Sequence, residues 1–202
     1  MDDRTGQEST LYTYSIAEKT FSITPRVVVV QWSESPATYW IYNGDEKHAT
    51  ATITNKLEGD TVDIDTYTIE KYVGTQWASA DEAIDAGMYR FTVASLKDNT
   101  NDNYTITGAT GLTSGECNIT PKSLAGVQVV VESTSSEYNG TLQLPDIASV
   151  TDPEIDGDRE NLVLGKDYLI ADSSKLKDVQ AVAVPILLTG TGNYNQSCTS
   201  AT

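Results

Sequence analysis

Ile23-Thr24-Pro25-Arg26 returns later in the chain as Ile119-Thr120-Pro121-Lys122, and Tyr42-Asn43-Gly44 returns as Tyr138-Asn139-Gly140. The step from 23 to 119 and the step from 42 to 138 are both 96 residues. Two unrelated motifs with one offset indicate an internal repeat, and a repeat decides the architecture before any single element does. A third match, Asn103-Tyr104 with Asn193-Tyr194, has an offset of 90. The second copy is therefore shorter, through a net deletion between its Tyr-Asn-Gly and Asn-Tyr positions.

The Ile-Thr-Pro element marks the boundary between copies. Proline offers no ladder hydrogen bond, so it ends pairing and stiffens the join. The expected units are residues 25–120 and 121–202. Residues 1–24, with the alternating runs Leu11 to Ile16 and Phe21 to Ile23, read as terminal strands of a preceding truncated repeat or as a linker. The abrupt end at Thr202 leaves the second unit short of a last strand in this reading.

Within the units, β-branched and aromatic runs predict strands over Val27–Trp32, Thr50–Thr54, Thr61–Ile69, Tyr89–Ala94, Val127–Glu132 and Ala181–Leu188. Turn signals such as Glu58-Gly59-Asp60 and Asp156-Gly157-Asp158 separate them. The only helical candidate is a single turn over Ser79–Ala86. Many short strands in units of this length predict an all-β fold, namely tandem immunoglobulin-like Greek-key β-sandwiches. Asp85-Ala86-Gly87-Met88-Tyr89 has the D-x-G-x-Y form of a tyrosine corner, with Asp85, Gly87 and Tyr89 as its structural residues. The second unit lacks both Gly and Tyr at the matching place.

The order of these motifs resembles the Ig-like repeats of bacterial surface proteins, the MBG and YDG families being the nearest. Tyr-Asn-Gly comes early, Ala86-Gly87-Met88-Tyr89 in the middle, Gly190-Thr191-Gly192-Asn193-Tyr194 late, and Ile-Thr-Pro-Lys closes. Leu164-Gly165-Lys166-Asp167-Tyr168 adds to the likeness. The resemblance implies a secreted or cell-surface, adhesin-like bacterial protein in which such repeats serve as a stalk, and it carries no catalytic residue. The expected location is extracellular or on the bacterial surface, with export and anchor signals absent from this fragment. The expected state is a monomer.

Charge narrows the partners. The net charge of −16 over 202 residues repels nucleic acid and anionic lipid. No stretch is long and apolar enough to suggest membrane insertion. Cys117 and Cys198 lack zinc spacing and fall near the ends of different units, so a disulfide between them is not the favoured reading.

Four candidate sites follow, each with a plainer competitor. Trp32, Trp40 and Trp77 are the candidate sugar-stacking or host-protein-binding platform, since aromatic faces bury the C–H surface of sugars. Core or edge packing is the competing reading. Asp152, Glu154, Asp156 and Asp158 are the candidate calcium ligands. Their spacing is not that of an EF-hand and Arg159 lies among them, so a solvated acidic loop competes. Lys122 and Asn193 invite comparison with the isopeptide bonds of some surface Ig-like domains, but that reaction needs a buried carboxylate and the sequence singles out none. His48 is the sole histidine, and no nucleophile–base set assembles around it. The expectation is a non-enzyme with no cofactor other than the calcium just weighed.

Overall fold

A computed structural model describes residues 19–33, 38–133, 135–180 and 182–199. Strand accounts for 43% of the described residues. Helix among the described residues is confined to single 3-10 turns, the longest being Gly157–Glu160. The fold is all-β.

The first stretch contains β1 (Arg26–Val27), β2 (Val30–Trp32), β3 (Thr38–Ile41), β4 (Ala51–Ile53), β5 (Asp63–Val73), β6 (Gln76–Ala80), β7 (Gly87–Lys97), β8 (Tyr104–Thr105) and β9 (Cys117–Thr120). Five of these form a sheet in the order β3-β9-β7-β5-β6. The long pair β5 and β7 alternates inward residues such as Ile64, Tyr89, Phe91 and Val93 with outward polar ones, as a sheet with one buried face requires. The valine run expected as one strand is two. β1 pairs with β8, whereas β2 pairs with β4, and the chain changes partner at Val28-Val29. There the Asn55 side chain accepts from the Val29 N–H and donates to the Val27 carbonyl, so the backbone at the crossover stays satisfied.

The second stretch contains β10 (Lys122–Ser123), β11 (Gln128–Ser133), β12 (Asp146–Thr151), β13 (Tyr168–Ile170), β14 (Leu187–Gly190), β15 (Tyr194–Asn195) and β16 (Ser197–Thr199). Its pairings mirror the first. β1 lies parallel to β8 with Arg26 opposite Tyr104, and β10 lies parallel to β15 with Lys122 opposite Tyr194. Arg26 N donates to Asn103 O at 2.8 Å, and Lys122 N donates to Asn193 O at 2.9 Å. The antiparallel pairs β2–β4 and β11–β12, then β7–β9 and β14–β16, continue the correspondence. β9 and β16 carry Cys117 and Cys198, and neither is in a disulfide.

Three local expectations change. Ser79 and Ala80 end β6, and no helical turn forms over 79–86. Ala83 is fully buried and its carbonyl accepts from Lys47 N, so a tertiary contact overrides the modest helix propensity of this segment. Of the run expected from Ala181, only Leu187 onward is strand, and Ala181 itself lies outside the described residues. The alternating run Leu11 to Ile16 also lies outside them.

Two hydrophobic clusters form the core. One belongs to the first stretch: Val28, Val30, Ile53, Val62, Ile64 and Val93 around Tyr104. The other spans both stretches. It joins Tyr42, Tyr89, Phe91, Cys117 and Ile119 to Leu124, Val150, Ile155, Tyr168, Leu188 and Tyr194. This shared cluster sets up the seam described next.

Candidate functional site

The most organised polar constellation lies where the two stretches meet. It starts from the Asp85-Ala86-Gly87 turn that leads into β7. Tyr89 is buried, and its hydroxyl donates to the Asp85 carbonyl at 2.8 Å. That bond fixes the turn and points the Asp85 side chain and the Ala86 N–H outward from the first stretch.

Both are met by one residue of the second. Asn193 Oδ1 accepts from Ala86 N at 2.7 Å, and Asn193 Nδ2 donates to Asp85 Oδ1 at 2.9 Å. An amide suits this place because it offers an acceptor and a donor in one planar, uncharged group. Arg159 adds charge, with Nη1 3.2 Å from Asp85 Oδ1 and Nη2 3.3 Å from Glu82 Oε1. Apolar contacts flank the polar ones. The Tyr42 and Tyr194 rings meet edge-on with centroids 5.6 Å apart. Gly44, at φ +81°, lies so close to Ile155 that a Cβ there would sit 2.9 Å from its Cγ2. Both the backbone conformation and the close approach demand glycine.

Burial raises the Asp85 carboxyl, but the Asn193 amide, Lys71 and Arg159 outweigh it and hold the pKa below the ordinary aspartate value. A lowered pKa means that the stabilisation is present above the unfolded value, about 3.9, and is lost as pH falls through the folded one. Asp85→Ala is expected to cost about 1 kcal/mol near neutral pH, a modest figure because the side chain is half exposed. The difference between parent and variant should shrink in acid, as thermal unfolding at stepped pH would show.

A second polar group lies behind the first. Asp152 is buried and accepts from Lys122 Nζ through both carboxylate oxygens, at 2.8 and 2.7 Å. It also accepts from the Tyr194 hydroxyl at 3.1 Å and from Glu154 N at 3.1 Å. Burial and the adjacent Asp152 push the Tyr194 phenol up, so it remains a donor. The first stretch holds a counterpart, since the Tyr104 hydroxyl donates to Asp60 Oδ2 with Arg26 close by.

The expected site residues are distributed as follows. Trp32 donates from Nε1 to Gly111 O and packs on Tyr67, and Trp40 packs against the shared core. Trp77 stacks under Arg90 and meets Tyr72 edge-on. Trp40 and Trp77 lie on opposite edges of the five-stranded sheet, four strand spacings or about 19 Å apart. Trp40 and Trp77 therefore do not lie side by side. Of the acidic run, Asp152 is turned to Lys122, Glu154 joins it at 2.9 Å, and Asp156 and Asp158 are exposed. Among the described residues no group of three or more His, Cys, Asp or Glu is placed to hold a metal ion. Lys122 Nζ and the Asn193 amide, weighed as an isopeptide pair, are engaged with different partners. His48 Nε2 lies 3.3 Å from the nearby Glu46.

A shallow cleft of ≈ 300 Å³ opens beside the seam, lined by Tyr42, Asp85, Arg159 and Lys166 among others. The arrangement is suited to holding two bodies in a set orientation. Reading the sequence alone missed Asn193 as the cross-seam residue and Asp152 as a buried anchor. The recurring Asn-Tyr dipeptide was the available signal for the first. Comparison of the chain with protein-family models, with curated proteins and with solved structures found no match to any of them.

Proposed function

We propose that the chain is a non-catalytic spacer segment of a bacterial cell-surface or secreted adhesin-like protein. It consists of two tandem immunoglobulin-like Greek-key modules, residues 25–120 and 121–202, docked end to end into a stiff stalk. The observation that carries this reading is the clasp of Asn193 on Asp85 and Ala86, made at the end of one set of pairings and the start of its repetition. A spacer has to transmit orientation from module to module, and a proline-stiffened joint with paired side chains supplies that. The tyrosine corner fits the same reading, because it sets the surface that the second module grips. A strongly acidic surface suits a soluble, outward-facing segment that binds neither nucleic acid nor anionic lipid.

The alternative, a reader of host glycan or host protein through Trp32, Trp40 and Trp77, has weaker support, since it depends on the three acting from one face. Small-angle scattering tests the leading proposal. An elongated particle about two modules long is expected, and a single compact globule would overturn it.

A further inference from the structure

The first module carries, at its own leading end, a counterpart of the face that Asn193 and Tyr194 present at the seam. Asn103 and Tyr104 occupy the equivalent places, with the same backbone bond from the first strand and the same tyrosine-to-aspartate bond. The two faces differ in what covers them. Asn193 and Asp152 are buried, whereas Asn103 and Asp60 are exposed. Among the described residues the Asn103 side chain makes no hydrogen bond, and an open cavity of ≈ 250 Å³ lies against it, lined by Asp60, Asp98 and Tyr104 among others.

The chain entering this face tells the same story. Cys117 and Ile119, just before Pro121, are 1% and 0% exposed within the preceding sheet. Their counterparts 96 residues earlier, Phe21 and Ile23, are 89% and 87% exposed. Two large apolar side chains in the position of a closing strand pair with no sheet among the described residues.

We infer that the Asn103 face is the receiving half of a further joint. Its occupant is a preceding module of the same kind, which places an Asp-x-Gly-x-Tyr corner against Asn103. The Asn103 amide accepts from the backbone N–H after the corner aspartate and donates to its carboxylate, and Phe21–Thr24 completes that module's sheet. This rests on the tandem-module reading above and extends it to a direction of growth: new modules add at the Asn103 end through a corner that the second module itself lacks.

The test is a three-module chain in which a second copy of residues 25–120 is placed directly before Pro25 of residues 25–202. Amide hydrogen exchange is followed at Ala86 of each copy. Asn103→Ala in the original first module is expected to speed exchange at Ala86 of the added copy by about tenfold, the worth of one such bond. The same substitution in the unextended chain should leave exchange at its Ala86 unchanged. Asn193→Ala, which acts on the existing joint, serves as the reference. If Asn193→Ala speeds exchange at its partner and Asn103→Ala does not, this inference falls and the stalk reading stands. If neither has an effect, the docked-module reading falls as well. Failure of the added copy to become protected would also overturn the inference, since the face would then not accept a module.

Discussion

Lys122→Met is expected to lower the unfolding free energy by about 3 kcal/mol, the low end of what removing one partner of a buried ion pair costs. The loss comes less from the missing attraction than from what remains. Asp152 is 3% exposed at its side chain and would keep only the Tyr194 hydroxyl and the Glu154 N–H as donors. Glu154 itself contributes little, since it is 78% exposed. Asp152→Leu introduced together with Lys122→Met should recover part of the loss, because no charge is then left buried. A double variant less stable than Lys122→Met alone would show that the pair is not the source of the effect. Alkali offers a separate check. Burial lowers the Lys122 pKa, but Asp152 and Glu154 outweigh it and leave the value raised. The contribution is therefore complete below the ordinary lysine pKa of about 10.4 and disappears as pH rises through the folded value. Denaturant unfolding at stepped alkaline pH should show the parent and Lys122→Met converging.

Leu188→Ala should cost about 2–5 kcal/mol, as expected for emptying a fully buried leucine site. Its more informative consequence is at a distance. Leu188 lies on β14 of the second stretch, yet it belongs to the cluster that also contains Tyr89, Phe91 and Ile119 of the first. All three tryptophans, at 32, 40 and 77, lie in the first stretch, so the midpoint seen by tryptophan fluorescence follows the unfolding of that stretch. With a shared core, Leu188→Ala lowers the unfolding midpoint seen by fluorescence together with the midpoint seen by circular dichroism. A fluorescence midpoint that stays at the parent value would mean that the modules unfold independently.

Much of this framework was visible in the sequence. The alternation through Asp63–Val73 and Gly87–Lys97 specifies strands with one buried face, because pleating places successive side chains on opposite sides. The repeated Ile-Thr-Pro and Asn-Tyr motifs located equivalent first and late strands. The elements that escaped depend on partners far away in the chain. The valine run looked like one strand because nothing local tells Val27 that β8 is its partner and Val30 that β4 is. Ser79–Ala86 has helical composition, but the burial of Ala83 decides its path. Asp152 sat at the head of a run of acids that reads as solvated. Composition cannot say which acid of such a run turns inward to meet a lysine 30 residues earlier. The Asn193–Asp85 contact spans 108 residues and has no local pattern at all. The tryptophans were grouped by their shared module, whereas sheet order set two of them on opposite edges.

Backbone amide relaxation by NMR tests most directly whether the seam holds two modules as one body. Amides of residues 26–120 and of residues 122–199 should fit a single elongated rotational diffusion tensor, and Asn193→Ala should loosen that agreement. Two separate tensors in the parent protein, each that of a module tumbling on its own, would contradict the account.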